Sequence, residues 1–157
     1  MKSRSAWFLQ AILVLIGTGT LAFLLWEPHL EGRNAHASTF EIYFQDPFLA
    51  YVYVGSVPFF IVLYRAFGLF GHLRQTGAFS RMTVVALRAI QRSAIVLIGF
   101  VAGAVLLILR FGDPDDRPAG FFMCLLVAGL SSVIAVAAAM FARSLENAFR
   151  QSESNLR

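Results

Sequence analysis

Four long apolar runs divide this chain, and each is close to the length that a helix needs to cross a bilayer. The runs are Ala6–Trp26, Phe48–Tyr64, Ala94–Leu109 and Gly120–Ala142. At a rise of ~1.5 Å per residue, the first and last runs reach about 30 Å, the thickness of the hydrocarbon core, and the two shorter runs reach it with their flanks. The pattern predicts an all-α polytopic membrane protein with four transmembrane helices. We place the spans at residues 6–26, 48–70, 93–109 and 120–142.

The composition agrees with a membrane protein of one domain. Hydrophobic residues make up 58% of the 157 residues, charged residues make up 14%, and the mean hydropathy is +0.69. A soluble globule of this length could not cover so much apolar surface, so a single membrane domain over residues 1–157 is expected. The formal net charge is +4, but the basic residues lie in short segments beside the apolar runs. Such segments orient a membrane protein, and no direct nucleic-acid binding is expected.

The basic residues are divided unevenly between the two sides of the predicted spans. Ten of the 13 lysines and arginines fall before span one, between spans two and three, or after span four, whereas the other side holds seven of the nine acidic residues. By the positive-inside rule, both termini and the middle segment should be cytoplasmic, with the four helices forming two hairpins. A cleaved signal peptide is disfavoured because span one is longer than a signal core of about 7 to 15 residues. The ten residues are Lys2, Arg4, Arg65, Arg74, Arg81, Arg88, Arg92, Arg143, Arg150 and Arg157.

Local signals predict the shape and the ends of the helices. Pro58 lies inside span two, where its missing N–H predicts a kink. Ser80 can cap a helix that begins near Arg81, and this helix would measure about 43 Å through span three. Helices three and four are therefore predicted to extend into the cytoplasm. On helix four, Glu146 and Arg150 have the i,i+4 spacing of an ion pair.

One stripe of helix three is cationic. At 100° per residue, Arg88 and Arg92 fall within about 20° of Arg81, and an apolar stripe lies opposite. The apolar stripe consists of Thr83, Ala86, Leu87 and Ile90. Two interpretations are open: the arginines contact anionic headgroups, at about 1 kcal/mol each, or they form a docking face for a cytoplasmic protein.

At mid-depth, the predicted spans have no ionisable side chains of the kind that ion or proton transport requires. No Asp, Glu, Lys, Arg or His lies at mid-depth in any span, which argues against a pump or an ion-coupled carrier because those need a stabilised charge in hydrocarbon. Small residues predict close helix packing, either within the four-helix unit or in a homodimer. They are Gly99 with Gly103, and Ser131 with Ala135 and Ala139.

The first outer loop contains two histidines among acidic residues. The spacing of His29 and His36 matches no compact metal-ligand pattern, so neither a metal site nor a cofactor is expected there. Cys124 is the single cysteine and lies inside span four, which excludes an intramolecular disulfide.

Several short motifs are spread along the chain. They are Glu27-Pro28-His29, Glu31-Gly32-Arg33-Asn34-Ala35, Phe40-Glu41-Ile42-Tyr43-Phe44, Asp46-Pro47-Phe48-Leu49-Ala50-Tyr51 and Ala78-Phe79-Ser80. Together they resemble the small bacterial membrane proteins called domain of unknown function 2975. The resemblance implies a bacterial cytoplasmic (inner) membrane, four spans and no assigned enzyme activity. Because members are often encoded beside small helix-turn-helix regulators, it also implies such a regulator as a cytoplasmic partner.

Three classes of function remain open from the sequence. The leading hypothesis is a membrane-bound interaction or regulatory protein with a cytoplasmic docking face, because the arginine stripe lies beside the predicted helix extensions. The alternative is a small transporter, efflux or channel subunit, which Pro58 and the small-residue faces favour. A membrane enzyme that uses the outer-loop histidines is disfavoured, so no enzymatic activity is expected.

Overall fold

The computed structural model is all-helical over long stretches of the chain and describes residues 3–30, 38, 40, 47–76, 79–112, 114–115 and 117–155. Four of its helices are long and apolar enough to cross a membrane, which confirms the predicted class. These helices are α1 (Ser3–Leu30), α2 (Pro47–Thr76), α3 (Arg81–Phe111) and α4 (Arg117–Ser154).

Helices α1 and α2 lie side by side in opposite directions. Near one end of the pair, the Gln10 side-chain amide donates a hydrogen bond of 3.1 Å to the carbonyl oxygen of Phe67. Near the other end, the Tyr53 hydroxyl donates a hydrogen bond of 2.8 Å to the carbonyl oxygen of Leu24. Both donors satisfy backbone carbonyls of the neighbouring helix, and polar bonds of this kind hold helices together in an apolar solvent.

Helices α2 and α3 approach each other most closely where small residues face aromatic ones. A Cβ added to Gly103 would lie 2.1 Å from the Tyr51 hydroxyl oxygen, and one added to Gly55 would lie 3.2 Å from the Phe100 ring. The rings of Tyr51 and Phe100 are 5.5 Å apart and tilted by 55°, an arrangement that aromatic pairs favour. Gly103 therefore makes room for the ring that joins the two helices.

Helices α3 and α4 form the most extensive contact of the fold. The buried residues of α4 follow a heptad spacing of four, three and four, and those of α3 follow the same kind of spacing. Such spacing keeps one stripe of each helix against its neighbour. The buried residues are Thr83, Ile90, Ala94 and Ile108 in α3, and Ser131, Ala135, Ala138 and Ala142 in α4.

The small-residue positions named from the sequence differ in their surroundings. Ser131 and Ala135 are buried in α4. Gly103 lies at the Tyr51 contact, whereas a Cβ added to Gly99 would meet nothing within 4 Å. Gly103 thus faces α2, and Gly99 lies on an open side of α3.

The predicted helix start at Ser80 is confirmed, and α2 runs through its proline. Ser80 is the N-cap of α3 with extended backbone, and its N–H donates a hydrogen bond of 3.2 Å to the Thr83 hydroxyl oxygen. Pro58 is buried within α2, which continues without a break from Pro47 to Thr76. The kink at Pro58 stays a prediction.

Contacts between neighbouring helices place the starts of α1 and α3 and the ends of α2 and α4 at a common level. We call this end of the fold the basic end. Three pairs define it: Trp7 with Arg74, His72 with Ser80, and Arg81 with Glu153. Residues 81–92 of α3 and 143–154 of α4 continue past the apolar runs, and their ends are level with the ends of α1 and α2. Their extension into the cytoplasm stays a prediction, because helix length alone does not give the position of a helix in a bilayer.

Candidate interaction surface on helices α3 and α4

The arginine stripe of α3 faces glutamates of α4. Two nitrogens of the Arg88 guanidinium group donate hydrogen bonds to the Glu146 carboxylate. Nε lies 3.2 Å from Oε1, and Nη2 lies 2.9 Å from Oε2. Arg88 also donates a hydrogen bond of 3.1 Å to the Gln91 side-chain oxygen. A bidentate pair of this geometry fixes the two helices in register as well as neutralising charge.

A second ion pair joins Arg81 to Glu153. Arg81 and Arg88 are seven residues apart, as are Glu146 and Glu153, so two antiparallel helices bring both pairs together in one register. This equal spacing is the sequence signal that identifies the two acidic partners. The predicted pair of Glu146 with Arg150 is not the one formed, because the Arg88 side chain reaches Glu146 from α3.

Three further arginines border the Arg88–Glu146 pair. Arg92 follows Arg88 by four residues on α3. On α4, Arg143 lies three residues before Glu146 and Arg150 lies four residues after it. Each of the three therefore lies on the same side of its helix as the pair. All three are exposed. The hydrogen bond from Arg88 holds the pKa of Glu146 below its usual value, and the charges of Arg150 and Arg143 act in the same direction. This surface is strongly cationic, and we call it the cationic side face.

A groove of about 400 Å³ lies between α3 and α4 next to the basic end. Its walls combine the charged side chains of both ion pairs with apolar ones. They are Arg81, Val84, Val85, Glu146, Phe149, Arg150 and Glu153. The groove therefore presents a charge-balanced polar wall, with two arginines and two glutamates, beside apolar side chains.

The level of the cationic side face along the helices follows from the packing of α1 on α2 and of α2 on α3. Gly17, near the middle of the apolar run 6–26, lies against Leu63, since a Cβ added there would be 3.4 Å from its Cδ1. The preceding residue, Val62, packs with Ile90 and Ala138 in the hydrophobic core. The core at Ile90 is thus level with the middle of the α1 run.

Arg88 and Arg92 each lie two residues from Ile90, which is about 3 Å along a helix axis. Each is outside the apolar run of its own helix, as predicted, although both are level with the middle of the α1 run. Val62 and Ala138, which pack with Ile90, lie near the ends of the apolar runs of α2 and α4 that are closer to the basic end. The helices therefore indicate different depths for the two arginines, and the expectation that no ionisable group lies at mid-depth stays a prediction.

Metal ligands do not cluster in the part of the chain that the structure describes, where no group of three or more His, Cys, Asp or Glu side chains could hold an ion. His36, Glu41 and Asp46 lie outside the described residues, as does the side chain of His29. The predictions for the first outer loop are therefore untested.

Four long apolar helices, with polar bonds between them and apolar side chains facing outward, define a multi-pass membrane protein. Exposed apolar residues occur on every helix, for example Leu15 and Leu125, each 72% exposed. In a bilayer these side chains face lipid or a neighbouring helix at no hydrophobic penalty.

The chain belongs to the family described as "Protein of unknown function (DUF2975)", whose model matches residues 29–155. It is 32% identical over 158 residues to the "Uncharacterized membrane protein YoaS" of Bacillus subtilis (strain 168), and the match covers 99% of both chains. No solved structure matches the chain. The resemblance inferred from the motifs is thus confirmed, and the family carries no assigned activity.

Proposed function

We propose that the chain is a membrane-bound interaction or regulatory protein of the bacterial cytoplasmic membrane. In this proposal the helices form two hairpins, and the basic end with both termini faces the cytoplasm. The distribution of ten of the 13 basic residues on that side supports the orientation. The proposal assigns no catalytic activity.

The docking face in this proposal is the basic end itself, where the ends of the helices meet. The observation that carries it is the Arg81–Glu153 pair, which holds the ends of α3 and α4 together beside Arg74 and Trp7. Arg81 is highly exposed in spite of its partner, with a side chain 76% accessible. Arg4 of α1 is also exposed near this end.

The partner proposed for this face is a cytoplasmic protein that presents carboxylates. The guanidinium group binds carboxylates through two parallel N–H donors, which gives both affinity and orientation. The family resemblance makes a small helix-turn-helix regulator the first candidate. Of the three arginines in the stripe, only Arg81 lies at this end, because Arg88 and Arg92 are about 10 and 16 Å further along α3.

Two single substitutions test the docking face. Each removes the Arg81–Glu153 pair, but only Arg81→Gln removes the positive charge of Arg81. Arg81→Gln should release the partner when the protein is purified from native membranes after crosslinking. Glu153→Gln is the matched control and should retain it, since the exposed guanidinium remains. The same set of partners with both variants and the wild type, or no partner with any, would exclude docking through Arg81.

A small transporter, efflux or channel subunit is the second candidate. The observation that favours it is the Arg88–Glu146 pair beside the middle of the α1 run, since charged groups at membrane depth are costly and usually functional. If the pair serves transport, Arg88→Gln combined with Glu146→Gln should abolish flux in proteoliposomes while the protein remains inserted. The docking proposal predicts no flux from the wild type.

A further inference from the structure

The cationic side face carries more positive than negative charge. It contains Arg88, Arg92, Arg143 and Arg150 against Glu146 alone. Arg88 is neutralised by its bidentate bond to Glu146. Arg92 and Arg143 are exposed and directly flank the apolar runs that begin at Ala94 and end at Ala142, where a bilayer presents its anionic headgroups.

Arg92 and Arg143 lie opposite each other across the α3–α4 contact. In the register set by the Arg88–Glu146 and Arg81–Glu153 pairs, one residue forward on α3 corresponds to one residue back on α4. Arg92 therefore lies beside Ala142. Arg143 is the next residue after Ala142. Two guanidinium groups on neighbouring helices are thus available to a single anion.

The surface on either side of these two arginines changes character along the helix axis. Towards the basic end lies the groove of about 400 Å³. Away from it, one turn further along the same sides, lie Val96 and Met140, which are 50% and 64% exposed. A polar groove, two cations and then an apolar strip follow one another in the order of headgroup, phosphate and acyl chain.

We propose that the cationic side face binds one anionic phospholipid, with its phosphate between Arg92 and Arg143, its headgroup in the groove and its acyl chains along Val96 and Met140. The phosphate then pairs with two exposed cations at the boundary between the groove and the apolar strip. Guanidinium groups suit this ligand because they bind phosphate oxygens through several donors. A second copy of the chain does not fit here, because the two faces would repel each other.

This site is distinct from the docking face at the basic end and does not depend on it. The bilayer leaflet that contains the basic end provides the ligand directly, and basic pockets between transmembrane helices are known to hold such headgroups. The lipid would fix α3 and α4 together at the level of the Arg88–Glu146 pair.

The test uses the full chain in nanodiscs of phosphatidylglycerol, phosphatidylcholine or their mixture, followed by native mass spectrometry. The wild type should retain phosphatidylglycerol in preference to phosphatidylcholine by about tenfold or more. Arg92→Gln combined with Arg143→Gln should remove the preference, and replacement of both by Lys should keep most of it. Arg110→Gln is the control, because this exposed arginine lies at the opposite end of α3.

A measurement on the wild type alone tests the proposal even if the variants misfold. Added phosphatidylglycerol should raise the unfolding temperature of the detergent-solubilised protein, and equal amounts of phosphatidylcholine should not. Equal retention of both lipids by the wild type would overturn the proposal. So would an equal loss of preference in the Arg110→Gln control, or an acidic membrane protein bound through Arg92 and Arg143 in place of lipid.

Discussion

The Tyr51 hydroxyl of α2 donates a hydrogen bond of 2.8 Å to the carbonyl oxygen of Phe100 in α3. The tyrosine lies over Gly103, which has no side chain to obstruct it. The bond occurs between two helices in an apolar region, where a free hydroxyl or carbonyl has no water to bind. The contact combines a small residue, an aromatic ring and a polar bond at one position.

Gly103→Ala should destabilise the protein by about 1–3 kcal/mol, because the new methyl group displaces the Tyr51 ring and its hydrogen bond. Gly99→Ala is the matched control on the same helix and should be neutral or slightly stabilising, since nothing lies within 4 Å of the added atom. Reversible unfolding in mixed micelles measures both. Equal effects of the two substitutions would contradict the observed packing of α2 on α3.

The sequence alone could not distinguish these two glycines. Their spacing puts Gly99 and Gly103 on one side of a helix, but the side that faces a neighbour depends on which helix lies there and at what offset. Ser80, by contrast, was predictable as a helix cap because capping depends on residues within one turn.

Gln10→Ala should weaken the contact of α1 with α2. It removes the hydrogen bond to the Phe67 carbonyl, and bonds of this kind between membrane helices contribute about 0.6–2 kcal/mol. Thr18→Val is the control: Thr18 is exposed and its hydroxyl bonds within α1, to the Val14 carbonyl at 2.8 Å. Helix association can be followed by thermal unfolding in the same micelles. A loss for Thr18→Val as large as that for Gln10→Ala would contradict the assignment.

The Arg88–Glu146 pair should make stability depend on pH. The pKa of Glu146 is lowered from its usual 4.5 mainly by the hydrogen bond from Arg88, so its contribution is present above that value and is lost as the pH falls through the lowered pKa. The difference in stability between the wild type and Glu146→Gln should therefore be largest near pH 7 and disappear at low pH. Glu153→Gln should show a smaller difference, because both partners of that pair are more exposed. A constant difference across the range would contradict this role of the pair.

The pairing of Arg88 with Glu146 shows how much of the surface the sequence contained. The cationic stripe was visible from helical periodicity, and its partners were visible in the matching seven-residue spacings. What the sequence lacked was the offset of α3 and α4 against α1 and α2, which depends on contacts such as Val62 with Ile90 between distant segments. That offset sets the level of the arginines relative to the apolar runs of the neighbouring helices.

The orientation of the basic end is the claim on which the docking face most depends. Single cysteines introduced in a Cys124→Ser background can be labelled in intact cells with a reagent that does not cross the membrane. We expect a cysteine at position 115 to be labelled from outside, and cysteines at positions 76 and 155 to be labelled only after permeabilisation. Labelling of position 76 or 155 in intact cells would contradict the orientation and the docking proposal.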